Sequence, residues 1–308
     1  MSEAKAVLEK LTLAKDGVVF LRPCVDVVCY WRGSAFDNVE GILDFYAKSL
    51  QLVGDSLVYY QTETIGAPRK LRKDTLGLLE FWLKKTKSRR DVYVLQLESG
   101  ALAEDVSDRA ISFQAIEAGD DESTGFIRLM LPIGFVGAGA TPLIELAKNL
   151  FERIEFNFGL AGYSLNWNEM GRFAEKATTA MADIRKRYPG LDLADPGSSQ
   201  YVESGSIKCG NWLTMLGTAC VKRLGPTTKW QARLGENVAV HALPVGTMIQ
   251  AGPAPDIGDT NRRQNVPLYH QVGKVLAPLR DPEHPAFLTV DGEDDDDATN
   301  EWLARFDK

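Results

Sequence analysis

The stretch LTLAKDGVVFLRPCVDVVCYW, residues 11–31, sets the fold class of this 308-residue chain, because it is rich in strand-forming residues. Its apolar and β-branched runs at 11–13, 18–20 and 25–31 indicate two or three strands. The triplet Lys15-Asp16-Gly17 between the first two runs is typical of a hairpin turn. A hairpin joins antiparallel strands, so the chain is expected to contain an antiparallel sheet.

Further strand and helix signals follow in an irregular order. Strand-like runs occur at about 57–63, 92–97, 110–117, 126–132, 163–167, 238–243 and 247–250. Helical spacing of apolar residues occurs at about 38–53, 74–87, 142–158, 170–187, 211–224 and 267–279. Because these elements do not alternate in a regular βαβ rhythm, the sequence predicts an α+β fold with a mixed or largely antiparallel sheet and packed helices.

Charge separates the chain into a body and a tail. Residues 281–308 contain ten acidic and two basic residues, a net charge of −8 in a chain of net charge −7. The first 280 residues are therefore almost neutral. We expect a globular domain over 1–280, with an internal boundary near 132–141 as an alternative, and an acidic C-terminal tail over 281–308.

Several features place the chain in the reducing interior of the cell. No run of 18 apolar residues suggests a membrane span, and the N-terminus has no apolar signal-peptide region. Cys24, Cys29, Cys209 and Cys220 lack CxxC spacing, which favours reduced, buried thiols over zinc binding or disulfides. We therefore expect a cytoplasmic protein without membrane contact.

Motifs for cofactors and covalent catalysis are missing from the sequence. The glycine-rich stretch 134–142 lacks the third glycine of a dinucleotide fingerprint, and no GxxxxGK[ST] loop occurs. There is no GxSxG elbow, and His241, His270 and His284 stand apart from any serine or cysteine signature. The sequence therefore predicts no cofactor and no catalytic residues.

The loop AGPAPDIGDTN, residues 251–261, is the one stretch that suggests a metal site. Asp256, Asp259 and Asn261 are oxygen ligands, but a calcium site needs six to eight of them, and Arg262 and Arg263 follow instead. Those two cations favour neutralisation of the carboxylates without metal. We expect a structural loop, and keep a metal-dependent enzyme that uses Asp256 and Asp259 as an alternative.

Direct nucleic-acid binding is not expected either. Residues 69–90 carry nine basic and two acidic residues, but no exposed aromatic residues are interleaved with them, and Trp82 falls on the apolar face of its predicted helix. The following stretch 91–124 is acidic, which favours two solvated faces of opposite charge.

The second half of the chain resembles the bacterial type VI secretion immunity family that is named for immunity to VRR-NUC nuclease effectors. The motifs that carry this resemblance are GYSLNW at 162–167, YPGLDL at 188–193, NWLTMLG at 211–217, AGP at 251–253, GDTN at 258–261, Tyr269 and LAPLR at 276–280. Within them we take as fold determinants Trp167, Asn211, Trp212, Gly252, Pro253, Gly258, Asp259, Asn261, Tyr269 and Pro278. The tail after Arg280 is expected to lie outside the shared core.

The resemblance implies a cytoplasmic, non-enzymatic antidote that binds a cognate type VI effector toxin, which the family name suggests is a nuclease. A nuclease presents a positive cleft to DNA, which an acidic surface can occupy. The candidate contacts are Glu117, Asp120, Asp121, Glu122, Asp291, Glu293, Asp294, Asp295, Asp296 and Asp297. An effector adaptor or chaperone is a further alternative, and a homodimer stays open because periodicity does not separate an interface from the core.

Overall fold

A computed structural model describes residues 3–85, 90–118, 122–136, 139–168, 171–290 and 293–307. The strands are β1 Leu13–Lys15, β2 Val18–Arg32, β3 Tyr59–Thr62, β4 Arg69–Lys70, β5 Val92–Glu98, β6 Ala110–Ile116, β7 Thr124–Leu131, β8 Phe158–Trp167, β9 Asp192–Leu193, β10 Leu213–Leu216, β11 Val238–Ala242, β12 Thr247–Ala251, β13 Thr289–Val290 and β14 Glu293–Asp294. The helices are α1 Glu3–Lys10, α2 Val39–Val53, α3 Leu78–Glu80, α4 Thr141–Leu150, α5 Ala174–Arg187, α6 Pro196–Ser199, α7 Thr218–Leu224, α8 Thr227–Gln231, α9 Pro267–Leu276 and α10 Asp296–Leu303. In the described ranges, none of these helices has the length and apolar character needed to cross a bilayer.

Twelve of the described strands form one large sheet around β2, and β13 and β14 form a separate two-stranded sheet. The order of the large sheet is β11-β12-β10-β8-β2-β7-β6-β5-β3-β4, with β1 beside β2 and β9 beside β8. Every pair is antiparallel except β8 with β9, which confirms the predicted α+β fold with a largely antiparallel sheet. The hairpin at Asp16 and Gly17 is also present, but residues 18–32 form one long strand instead of two shorter ones.

One face of the sheet is covered by α2, which packs on β6 and β7. Its buried residues Ile42, Phe45 and Tyr46 recur at helical spacing and meet apolar side chains of the sheet. Phe113 of β6 and Leu95 of β5 lie in the same core and are almost fully buried. This face therefore supplies the core of the N-terminal half.

The structure corrects three of the predicted helices. The segment 211–224 contains β10, which pairs with β8 on one side and β12 on the other, before α7 begins at Thr218. The helix predicted at 142–158 ends at Leu150, and β8 starts at Phe158. The segment 74–87 is described to residue 85 and consists of consecutive 3-10, α and π turns. Short apolar runs do not distinguish a buried strand from a helix, so the neighbouring strands decided these cases.

The tail packs on the body. Leu288, Trp302 and Phe306 belong to the same apolar core as the sheet, and Phe306 lies against the backbone of Gly273 in α9. Arg305 donates from Nε to the carbonyl of Pro189 at 2.9 Å. Earlier in the chain, 132–141 leads from β7 to α4, and β7 and β8 are both partners of β2 in one sheet.

Candidate functional site

A row of polar side chains crosses four strands on the sheet face opposite α2. The register of the strands places Gln61 of β3 opposite Gln96 of β5. Gln96 is in turn opposite Ser112 of β6, and Ser112 is opposite Arg128 of β7. Directly opposed residues of antiparallel strands point to the same face, so these four side chains lie side by side. In β5 and β6, half-buried polar positions alternate with buried apolar ones such as Leu95, as in a sheet with one solvated face.

Loops around this row turn it into a groove of about 330 Å³. Its walls include segments 103–106, 166–168 and 194–197. A second hollow of about 240 Å³, lined in part by Val18, Phe20 and Phe173, adjoins it. The two share Gln61, Pro68, Ala103 and Asn168. A polar compartment therefore continues into a more apolar one, with a volume in the range of ligand-binding sites.

Arg128 is a deeply buried charged residue of the groove. Only 6% of the residue is exposed, and its Nε donates to Oδ1 and Oδ2 of Asp26 at 2.8 and 3.0 Å. Burial opposes the charge of the guanidinium, but Asp26 outweighs burial and raises the pKa of Arg128, so the guanidinium stays charged. The Nη2 atom of Arg128 has no hydrogen-bond partner within the described residues.

Three carboxyl groups also line the groove, at Glu98, Asp105 and Asp195. Asp105 accepts hydrogen bonds from the backbone of Val19 at 3.0 Å and Leu102 at 2.8 Å. Asp195 caps α6, but its buried Oδ2 has no hydrogen-bond partner within the described residues. Burial raises the pKa of Asp195, and burial raises the pKa of Glu98 to about 7 against the opposing effect of Arg128. Since Asp26 balances Arg128, the lining has an excess of acidic groups and favours a cation.

Side-chain amides supply the remaining polar capacity of the groove. Gln61, Gln96 and Gln114 line it, and within the described residues their side chains form no hydrogen bonds. Each amide has a donor and an acceptor, so the row can bind polar groups of either kind. The groove is therefore suited to a polar, positively charged ligand.

Comparison with known proteins places the chain in a family. The model of the family TsiV, type VI immunity for VRR-NUC, matches residues 55–306. The chain belongs to this immunity family. Among solved structures, the Pseudomonas aeruginosa T6SS protein PA0821 has a TM-score of 0.82 and 18% identity, over 99% of this chain and 90% of that one. At this identity the likeness shows a shared fold. No curated protein sequence gives a significant match.

The family match corrects one expectation about the tail. It runs to residue 306, so most of the acidic tail lies inside the family region and not beyond it. The burial of Trp302 and Phe306 gives the physical reason, because these residues complete the core of the immunity fold.

The acidic residues selected from the sequence do not form one site in this immunity protein. Asp120, Asp121 and Asp291 lie outside the described residues, and Glu293 and Asp294 form β14. Glu117 accepts from Ser34 Oγ at 2.6 Å and from the Ala35 backbone at 2.9 Å, and Asp295 caps α10 through Ala298 at 2.7 Å. The exposed side chains of this set are Glu122, Asp296 and Asp297.

The loop 251–261 is a structural element of the immunity fold. Asp259 is 3% exposed and receives two hydrogen bonds from Arg187, at 3.0 and 2.9 Å, and one from the Asn261 backbone at 3.1 Å. The hydrogen bonds from Arg187 lower the pKa of Asp259. The main counter-charge therefore comes from α5, whereas the sequence suggested Arg262 and Arg263, of which Arg262 lies 3.7 Å away.

The second carboxylate of this loop, Asp256, also bonds to the protein backbone. Asp256 Oδ1 accepts from the Gly258 backbone at 3.0 Å, and Gly258 has a φ of +65° that favours glycine. Among the described residues no group of three or more His, Cys, Asp or Glu side chains is placed to hold a metal ion.

Other motif residues of the family are also structural. Trp212 is fully buried, and its Nε1 donates to the carbonyl of Gly252 at 3.1 Å. Asn211 accepts from the Trp212 backbone at 2.6 Å, and Tyr269 Oη accepts from the Asp256 backbone at 3.1 Å. Pro253 lies at an exposed bend, and the exposed Asn261 and Pro278 lie in short 3-10 helices. Trp167 differs from the rest, since it is half-buried and lines the groove.

A buried polar network near the tail was missed by sequence reasoning. Lys208, 1% exposed, has its Nζ 3.3 Å from Asp192 Oδ1 and donates to the Leu193 carbonyl at 2.6 Å. Ser199 Oγ and His284 Nε2 are 3.2 Å apart, and His284 Nδ1 donates to the Pro285 carbonyl at 2.7 Å. We call these residues the Lys208 network.

The Ser199–His284 pair has the chemistry of a catalytic dyad but not the access. Ser199 is fully buried and His284 is 4% exposed, and neither lines the groove. Burial, with Lys208 adding to it, lowers the pKa of His284 to about 4, so the ring is neutral at pH 7. Since 85 residues separate the two, no local pattern in the sequence predicts the contact.

Proposed function

We propose that this immunity protein neutralises a cognate type VI effector, a nuclease toxin, by binding it directly and stoichiometrically in the cytoplasm. The observation that carries the proposal is the groove, where hydrogen-bonding side chains without internal partners line a cavity of about 330 Å³. Polar groups that lose water need partners, so a surface of this kind favours a partner that supplies them. Family membership supports an effector as that partner.

Charge supports a nuclease as the effector. A nuclease carries a positive surface for the phosphates of DNA. The groove has an excess of acidic groups, and Glu122, Asp296 and Asp297 add exposed negative charge elsewhere. Complementary charge accelerates association and selects against wrong partners, more strongly at low salt.

The test is co-production with the product of the gene adjacent to the one for this chain, which we expect to be the nuclease toxin. We expect survival of toxin-producing cells and a one-to-one complex in size-exclusion chromatography with light scattering. The association rate should fall as salt rises. Death of cells that contain the soluble chain, together with the absence of a complex at low salt, would contradict the proposal.

A further inference from the structure

We propose that the groove receives an arginine or lysine side chain of the effector, with neighbouring polar atoms of the same effector segment contacting the glutamine row. This inference rests on the proposed function and adds to it the chemistry of the bound segment. It also assigns the contact to the polar sheet face, whose lining contains none of the acidic residues of the tail.

The charges of the groove select a basic ligand over an acidic one. Arg128 is the cation of the lining, and its contacts of 2.8 and 3.0 Å with Asp26 already balance it. Glu98 has no side-chain hydrogen bond, and Oδ2 of Asp195 has no hydrogen-bond partner, within the described residues. An incoming carboxylate would face these groups and Asp105, whereas a cation would pair with them.

The row of amides favours a peptide segment as the carrier of that cation. Gln61, Gln96 and Ser112 are opposed across neighbouring strands, so their polar atoms are spaced by the distance between strands, about 4.8 Å. A peptide presents donors and acceptors in alternation, which amide side chains can match. The adjoining hollow, with Val18, Phe20 and Phe173 in its lining, can hold a neighbouring apolar side chain.

Gln96 gives the sharpest test, because a lysine or a glutamate at this position is similar in size and opposite in charge. We expect Gln96→Lys to weaken the complex with the neighbouring nuclease toxin at least about tenfold, since like charges across an interface are costly. Gln96→Glu should bind as tightly as the original chain or more tightly. Gln231, exposed on α8 and outside the groove, gives the controls Gln231→Lys and Gln231→Glu, expected to stay within about twofold.

The outcomes separate this inference from the proposed function. If the original chain binds the toxin and both Gln96 variants bind with the same dissociation constant, the groove assignment is wrong and the immunity role stands. If the original chain forms no complex, the proposed function fails. Loss of binding in both Gln96 variants would show a shape requirement without charge preference and would overturn the choice of a basic ligand.

A second measurement uses a defined probe in place of the toxin. The peptide N-acetyl-Ala-Arg-Ala amide is titrated into the full chain and followed by NMR at the side-chain amides of Gln96 and Gln114. The citrulline peptide, which keeps the shape without the charge, is the matched control. We expect saturable shifts with arginine that are at least about fivefold weaker with citrulline. Equal shifts for both peptides, or shifts with neither, would contradict the proposal.

Discussion

The groove and the Lys208 network are two polar regions attached to the same sheet, and they differ in where their polar groups find partners. In the network, Lys208 meets Asp192 and the Leu193 carbonyl, and Ser199 meets His284. In the groove, Gln96 and Glu98 have no such partners within the described residues. Internal pairing makes the first region part of the fold, whereas the second retains the capacity to bind another molecule.

The same contrast applies to charge. Asp259 and Asp192 are acidic and deeply buried, and each has a cation within reach, Arg187 in the first case and Lys208 in the second. Glu98 is half-buried without a hydrogen-bonded cation, and burial raises its pKa to about 7. Such a carboxyl group lowers the stability of the free protein. We expect it at a surface where a binding partner supplies the missing positive charge.

Removal of residues 281–308 is the strongest test of whether the tail, like the Lys208 network, is part of the fold. The tail buries four large apolar side chains, at Leu288, Trp302, Leu303 and Phe306. At about 2 kcal/mol for each, the loss is about 8 kcal/mol, which is similar to the whole free energy of unfolding of a domain, about 5–15 kcal/mol. We expect the shortened chain to aggregate and to lose its cooperative thermal transition in circular dichroism.

The matched control keeps the tail and removes only charge. The double variant Asp296→Asn and Asp297→Asn alters exposed residues in the first turn of α10 and should change the free energy of unfolding by less than about 2 kcal/mol, since each charge interacts with the helix dipole by about 0.3–1 kcal/mol. A monomeric shortened chain that melts within a few degrees of the full chain would mean that the tail is a separate acidic appendage.

Lys208→Met tests the network itself and should have the second-largest effect. The variant keeps an apolar side chain of similar length but leaves Asp192 buried, with Arg305 Nη2 at 3.9 Å as its remaining cation. Loss of one partner from a buried ion pair costs about 3–5 kcal/mol, measured as the shift of the urea midpoint. Lys229→Met, at an exposed position on α8, should cost less than about 0.5 kcal/mol. Equal midpoints for the two variants would show that the pairing does not hold this region together.

Sequence reasoning reached the fold class but not the pairings on which both regions depend. The hairpin around Asp16 and Gly17 is local, so the antiparallel sheet was predictable. The contact of Arg128 with Asp26 joins residues 102 positions apart, and only the register of β2 with β7 brings them together. The run at 213–216 was predicted as helix because its strand partners, Ala161 and Gln250 for Leu213, lie outside the local sequence.

Part of the candidate site did have a sequence signal. In VYVLQLE at 92–98 and AISFQAI at 110–116, polar residues alternate with apolar ones at the period of a half-solvated strand. That alternation marks Gln96, Glu98, Ser112 and Gln114 as one face, but it does not tell which loops surround it. The acidic tail has the stronger compositional signal, although its buried Trp302 and Phe306 are apolar.

The variant Glu98→Gln tests the difference between the groove and the Lys208 network, because the free energy of unfolding should rise and not fall. Burial raises the pKa of Glu98 from 4.5 to about 7, so the folded state disfavours the charged form. Below pH 4.5 the carboxyl group is protonated in both the folded and the unfolded state, so its ionisation does not lower the free energy of unfolding. As pH rises from 4.5 to 7 only the unfolded state loses the proton, and stability falls by an amount that stays constant above pH 7, up to about 3 kcal/mol.

The glutamine variant should therefore be more stable than the original chain at pH 8, by up to about 3 kcal/mol, and equally stable at pH 4, as measured by urea unfolding at both values. The exposed Glu122→Gln should show no difference at either pH beyond about 0.5 kcal/mol. The same Glu98→Gln variant should bind the arginine peptide more weakly, because the carboxylate that destabilises the free fold is a partner for the bound cation. A loss of stability at pH 8 would place Glu98 with Asp192 and Asp259 among the carboxylates that support the fold, and the distinction between the two regions would fail at this residue.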